Sequence, residues 1–151
     1  MRMTRMHRLG AFTFILLECL VSSGSAQDIT VRLLDASSGH GMSGESVWLQ
    51  FYRPDKTLQQ IEHKTGRDGI AHFQLTEAAP EIYVAASGSR LWCAGHLTES
   101  PQNVFSHGAS SPASCTPKDS VARIAPRPGE VILFARPMTL WQRLMRPLEW
   151  W

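Results

Sequence analysis

The sequence lacks the motifs that most often mark an active site. Its three cysteines never occur as CxxC and its six histidines never as HxxxH, so no zinc site of the usual spacing is indicated. There is no GxSxG motif, so the nucleophile turn of the α/β-hydrolases is excluded. We therefore expect no catalytic residues, no metal and no cofactor. A small hydrolase or metal-binding enzyme is kept as the third hypothesis, because two carboxylates can hydrolyse glycosides without a sequence motif.

An excess of one charge is also missing. The formal net charge is +2, and the first 26 residues, which hold Arg2, Arg5 and Arg8 against Glu18, account for all of it. The remaining chain has equal numbers of basic and acidic residues. Binding to nucleic acid needs a basic face on the folded domain, so we expect no nucleic-acid partner.

The chain has no apolar run long enough to span a bilayer. The longest, LGAFTFILLECLV at 9–21, has 13 residues, whereas a spanning helix needs about 20. Basic residues precede this run, and the small residues Gly24 and Ala26 follow it at the positions that signal peptidases favour. This pattern predicts a helical signal peptide over 1–26, a mature protein that begins at Gln27, and export to the periplasm or beyond.

Two other interpretations of this N-terminus stay open. The apolar run could remain as an uncleaved N-terminal anchor. Alternatively, Cys19 could be acylated as in lipoproteins, although Glu18 stands where lipoprotein signals have a small residue.

Cleavage leaves Cys93 and Cys115, which are 22 residues apart. An even number of cysteines in an exported protein indicates a disulfide. Closing a loop of this length stabilises the fold by roughly 3 kcal/mol in the chain-entropy model. A shared metal site is the weaker alternative, because two distant cysteines do not form a zinc pattern.

Apolar and polar residues alternate along several short segments of the mature chain. Alternation is typical of strands with one buried face, and five such segments lie between residues 28 and 88 at intervals of about 10–14 residues. Two further strands are expected at 120–125 and 130–135, and residues 89–118 are expected to form a surface loop held by the disulfide. The fold class is therefore an all-β, immunoglobulin-like antiparallel sandwich of about seven strands over 27–138. The first five expected strands are 29–35, 45–52, 58–65, 70–75 and 82–87.

Trp48 and Tyr52 are candidate ligand-binding residues. They share the face of their strand opposite the apolar Val47, Leu49 and Phe51. Aromatic rings on a flat sheet can stack on sugar rings or on a partner protein. The alternative is that the C-terminal helix or the disulfide loop covers them.

His63 and His72 are expected to lie near each other across the GRDG turn at 66–69. A cross-strand histidine pair could bind a metal, but no third ligand is evident. Two solvent-facing histidines on a polar face explain the pattern without a metal.

The C-terminal segment 139–151 is expected to form an amphipathic helix. Thr139 can cap it, and Leu140, Leu144 and Leu148 form one apolar stripe with Trp141 alongside. Pro147 should end or kink the helix. Three partners for this stripe stay open: the sandwich itself, a protein, or a membrane surface. A membrane surface would also suit the terminal tryptophans and the basic residues Arg136, Arg143 and Arg146.

Several motifs resemble a known family. V-x-L-x-D at 31–35, V-x-L-x-F at 47–51 and T-G-R-D-G-x-A-x-F-x-L at 65–75 resemble the carboxypeptidase-regulatory-like domain, a transthyretin-like β-sandwich. The stretch P-x-P-G-E-V-I-L-F-A-R-P-x-T-x-W at 126–141, together with the cysteine pair, resembles short exported bacterial proteins of unknown function. The resemblance implies an accessory, non-catalytic domain, since the catalytic domain of the carboxypeptidases is separate.

These observations together predict a non-catalytic binding or interaction module of the cell envelope, with an envelope protein or a carbohydrate as ligand. The alternative is a peripheral envelope protein that its C-terminal helix attaches to the membrane.

Overall fold

The computed structural model describes residues 26–111 and 115–145. The predicted signal peptide lies outside these residues except for Ala26, and so do Leu148 and the rest of the chain after Met145. The described part contains nine strands and three short helices. In chain order they are β1 (Gln27–Asp35), β2 (Ser46–Tyr52), β3 (Leu58–Lys64), β4 (Ile70–Leu75), β5 (Ile82–Ser87), β6 (Leu91–Ala94), β7 (His96–Glu99), α1 (Pro101–His107), β8 (Ala109–Ser110), α2 (Asp119–Ala122), β9 (Glu130–Pro137) and α3 (Leu140–Met145).

The strands form two sheets. Sheet A has the order β4-β1-β9-β6, with the short β8 also paired to β9, and sheet B has the order β3-β2-β5-β7. Most neighbours are antiparallel, but β9 runs parallel to both β1 and β8. The prediction of a mostly β protein is confirmed. The two sheets are mostly antiparallel, as predicted, but β9 departs from this arrangement because it returns alongside β1 in the same direction.

The main core lies between the inner faces of the two sheets. In β2 the residues Val47, Leu49 and Phe51 are buried, and the residues between them are not, as the alternation predicts. The same pattern puts Ile29 and Val31 of β1 in the core, where both are fully buried. Strands β4, β5 and β9 supply further large members, among them Phe73, Ile82, Val84, Val131 and Leu133.

A second, smaller core covers part of the outer face of sheet A. Leu34 of β1 and Phe134 of β9 point outward from the main core and pack with Val121 of α2 and with Cys115. The Cys93–Cys115 disulfide fixes this covering segment to β6, with 5.8 Å between the two Cα atoms. The predicted disulfide is therefore confirmed, and six consecutive residues of β9 are buried because both faces of that strand are covered.

The strand expected at 120–125 is wrong, because the chain forms the helical turn α2 there. Val121 and Ile124 are three residues apart, the spacing of one helical face rather than of one sheet face. The amide of Ile124 donates to the carbonyl of Val121 at 3.0 Å, and both side chains join the second core.

The surface loop expected at 89–118 is also wrong, since the segment contains β6, β7, α1 and β8. Its Ser and Pro content suggested a loop, but these residues begin a helix. The hydroxyl of Ser100 accepts from the amide of Asn103 at 3.2 Å, and Pro101 occupies the first turn, where its missing amide costs nothing. The described residues therefore hold nine strands instead of about seven.

Candidate binding face

The outer face of sheet B carries a row of aromatic side chains. Trp48, Gln50 and Tyr52 of β2 point away from the core, as their alternation predicts. The strand register places Tyr83 of β5 beside Gln50, and therefore between Trp48 and Tyr52 along the strand direction. On the other side, β3 places Glu62 beside Trp48, Gln60 beside Gln50 and Leu58 beside Tyr52. We call this surface, formed by Trp48, Gln50, Tyr52, Leu58, Gln60, Glu62 and Tyr83, the open face.

The aromatic residues of the open face differ in their accessibility. Tyr52 is 60% exposed and Tyr83 is 36% exposed, whereas Trp48 is half-buried between its neighbours. The Nε1 atom of Trp48 is inaccessible and has no hydrogen-bond partner in the part of the chain that the structure describes. Trp48 is thus held in the sheet surface, and the two tyrosines project from it.

Polar groups between the rings are ordered by contacts within the face. The Nε2 atom of Gln50 donates to Oε1 of Gln60 at 2.6 Å, which fixes both amides and leaves further donor and acceptor positions for a ligand. The ring of Tyr83 lies 6.0 Å from that of His96, with 35° between the ring planes. The open face therefore combines fixed rings, which can stack, with amides that can hydrogen-bond.

One carboxylate at the rim of the open face is held ionised. The hydroxyl and the amide of Thr57 donate to Oδ1 of Asp55 at 2.6 and 2.9 Å, in the turn that joins β2 to β3. These hydrogen bonds hold the pKa of Asp55 below its usual value. The same turn also carries Arg53 and Lys56, so the charge of Asp55 is balanced at this end of the open face.

Tyr83 is the aromatic member of the open face that the sequence interpretation missed. The alternation of Ile82, Val84 and Ala86 assigns three side chains to the core, and the same pattern places Tyr83 outward. Its position beside Gln50 depends on the pairing of β2 with β5, which are about 35 residues apart in sequence. Strand alternation was therefore enough to find its orientation but not its neighbours.

Neither element expected to cover Trp48 and Tyr52 does so within the described residues. The disulfide-linked segment packs on the outer face of sheet A instead. Helix α3 lies at the loop between β1 and β2, where Arg143 lines a cavity of about 290 Å³ together with Asp35 and Glu45. Tyr52 remains largely accessible as a result.

Helix α3 is capped as predicted. The amide of Gln142 donates to the hydroxyl of Thr139, and the amide of Thr139 donates to Oε1 of Gln142, which together form a capping box. Its apolar side chains do not dock on the sandwich: Leu140 is 74%, Trp141 68% and Leu144 62% exposed. Leu148, the fourth predicted contact residue, lies outside the described residues.

The two histidines of the predicted pair belong to different sheets, so they are not cross-strand neighbours. They still line one groove of about 750 Å³, formed by β3 on one side and by β4 and β1 on the other. The ring of His63 meets that of Phe73 edge-on at 5.0 Å, and Nδ1 of His72 is 3.4 Å from the hydroxyl of Thr30. Within 26–111 and 115–145, no three His, Cys, Asp or Glu side chains are arranged to hold a metal ion.

Comparison with known proteins gives no family. No family model matches the chain, and no curated protein matches it. The resemblance to the carboxypeptidase-regulatory-like domain therefore stays a prediction from its motifs.

None of the helices between Ala26 and Met145 has the length and apolar character needed to cross a membrane. The disulfide itself indicates an oxidising setting outside the cytoplasm.

Proposed function

We propose that this protein is an exported, non-catalytic binding module of the cell envelope, and that the open face of sheet B binds carbohydrate. The observation that carries the proposal is the row of Trp48, Tyr83 and Tyr52 on one flat sheet surface. Sugar rings have apolar faces that stack on aromatic rings, and hydroxyl edges that pair with amides such as those of Gln50 and Gln60.

The geometry supports an extended, uncharged glycan chain as the ligand. Residues two apart on a strand are about 6.6 Å apart along it, so the three aromatic positions cover about 13 Å in the direction of β2. That distance suits a chain of several sugars better than a single ring. Of the seven side chains of the open face only that of Glu62 is charged, which supports an uncharged rather than an anionic ligand.

The proposal is tested with oligosaccharides of known composition. Cellohexaose, chitohexaose and laminarihexaose, together with isolated cell-wall sacculi, are presented to the mature protein, and affinity is measured by calorimetry or by pull-down. The variants Tyr52→Ala and Tyr83→Ala should each weaken binding about tenfold, because each removes one stacking contact.

Trp92 offers a matched control. It is 57% exposed, similar to Tyr52, but it lies on β6 in sheet A. Trp92→Ala should leave glycan affinity unchanged. The proposal fails if the wild-type protein binds none of these glycans, or if the tyrosine variants bind as well as the wild type.

A second candidate function is attachment to a membrane surface through α3. The exposure of Leu140, Trp141 and Leu144 supports it, since Arg143 faces the sandwich and the apolar side chains do not. Burial of each leucine in an interface is worth roughly 1.5–3 kcal/mol. Vesicles of mixed neutral and anionic lipid should therefore sediment the wild-type protein but not the variant Leu140→Ser/Leu144→Ser. Equal sedimentation of the two proteins would rule this function out.

A further inference from the structure

Within residues 26–111 and 115–145, two strands have an unpaired edge on the same side of the sandwich. β4 is the last strand of sheet A and β3 is the last strand of sheet B, and the turn at 65–69 joins them. The groove of about 750 Å³ runs along this side. It is separate from the open face, since its lining comes from the inward residues of β3 and from the outer side of sheet A.

The register shows which backbone groups of β4 face the groove. The amide of Leu33 points towards β4 and donates to the carbonyl of Gly69. The amide of Thr30 points towards β9 instead and donates to the carbonyl of Gly129. Hydrogen-bonded and non-hydrogen-bonded pairs alternate along an antiparallel ladder. Ala71, Phe73 and Leu75 therefore bond to β1, and the amides and carbonyls of His72 and Gln74 point to the free edge.

The edge of β4 carries none of the usual protection against strand pairing. Proteins commonly block such edges with charged residues, proline or a bulge. β4 contains no Asp, Glu, Lys, Arg or Pro, and its pairing with β1 has no register shift. The neighbouring edge strand β3 does carry such charges, in Glu62 and Lys64. The contrast singles out β4 as the edge that is open to a further strand.

The two walls of the groove differ in polarity. A strand added to β4 would direct alternate side chains to opposite sides of sheet A. Those pointing inward would meet Ile61 and His63 of β3, and Ile61 is already packed against the core. Those pointing outward would continue the polar row of Thr30 and His72.

We propose that this groove binds an extended peptide, which adds a strand to the edge of β4. A peptide backbone complements donors and acceptors that alternate along a strand, and alternating polar and apolar side chains complement the two walls. The groove volume is in the range of sites for small ligands, about 300–1,000 Å³. Because β3 walls the other side of the groove, a strand that pairs with β4 has to enter between β3 and β4, which suits a flexible segment of a partner protein better than the edge of a second folded sandwich.

The experiment begins with a displayed library of random ten-residue peptides, selected against the disulfide-bonded mature protein. The expected result is an enriched set in which polar and apolar residues alternate. Gln74→Pro removes one amide of the free edge without touching the ladder to β1, because proline is tolerated where the amide faces outward. It should weaken the selected peptide at least tenfold, while the matched control Gln74→Ala should change its affinity less than threefold.

A second measurement keeps the test independent of how the variant folds. The selected peptide is synthesised with N-methyl groups on alternate residues, in two complementary versions. Only the version methylated at the residues that face β4 should lose binding to the wild-type protein, since the other set points to solvent. The proposal is overturned if no peptide is enriched, or if both versions bind equally. It is also overturned if sedimentation shows a dimer that Gln74→Pro dissociates, because a second copy would then occupy the edge.

Discussion

The outer faces of the two sheets differ in how far other segments of the chain cover them. On sheet A the chain adds a helical turn, a disulfide and a small core that bury Leu34 and Phe134. On sheet B the outer residues Tyr52 and Tyr83 stay accessible, although they are as bulky as those that sheet A covers. The cover on sheet A is partial, because Trp92 of β6 is 57% exposed. The covered part of sheet A therefore has a structural role, while the open face is the surface on which we propose that ligands bind.

Removing a ring from each face gives the largest expected contrast. Phe134→Ala leaves a cavity between sheet A and its covering segment, and should lower the free energy of unfolding by about 3–5 kcal/mol. Tyr83→Ala on the open face should lower it by less than about 0.5 kcal/mol, as is usual for surface positions. Urea unfolding followed by circular dichroism measures both values. Similar losses in the two variants would show that the open face is also structural.

Breaking the disulfide tests the covered face alone. The double variant Cys93→Ser/Cys115→Ser should lose roughly 3 kcal/mol of stability, because the unfolded chain regains the entropy of a 22-residue loop. Glycan affinity at a temperature where the variant stays folded should not change, since the bridge lies on sheet A. A variant that keeps its stability but loses glycan binding would reverse the roles assigned to the two faces.

The smallest effect concerns an acidic residue at the end of β1. Burial raises the pKa of Asp35, but hydrogen bonds from Ser37 and Ser38 outweigh it and hold that pKa below the usual value of 3.8. A lowered folded-state pKa stabilises the protein above about pH 4, and this stability is lost as the pH falls through the lowered value. Asp35→Asn should therefore reduce stability at pH 7 and flatten its dependence on pH below 4. Unfolding curves from pH 2 to 7 measure this, and an unchanged pH profile would contradict it.

The alternation of polar and apolar residues was sufficient to predict about half of the strands. Strands β1 to β5 follow directly from the period-two pattern, and the residues predicted to face the core in β2 do so. Strand β9 follows instead from its continuous apolar run. Gly69 in the GRDG turn has a φ of 79°, in the region that glycine favours, as expected of a tight turn. These features depend on residues close together in sequence, which is why the sequence alone reveals them.

The errors concern features that depend on distant contacts or on competing local signals. Residues 120–125 were expected to form a strand, but Val121 and Ile124 share one face only in a helical turn, and both pack in the second core. Ser100 and Pro101 are typical of loops and of helix starts alike, and α1 uses them as a start. For the candidate site, Trp48 and Tyr52 were found from alternation, whereas Tyr83 completes the row only once β5 is placed beside β2.

The parallel pairing of β1 with β9 has a consequence for the time course of folding. Val31 pairs with Val131, so the two central strands of sheet A are about 100 residues apart in the chain. Contacts between residues far apart in sequence slow folding, because the chain loses the conformational entropy of closing a long loop before it gains any free energy from the contact. The main core also cannot close until Glu130 and the residues after it have been synthesised. We therefore expect a chain truncated before Glu130 to show no cooperative unfolding. We also expect the growing polypeptide to stay unfolded until its synthesis is nearly complete. An unfolded chain is the state that passage through a narrow translocation channel requires.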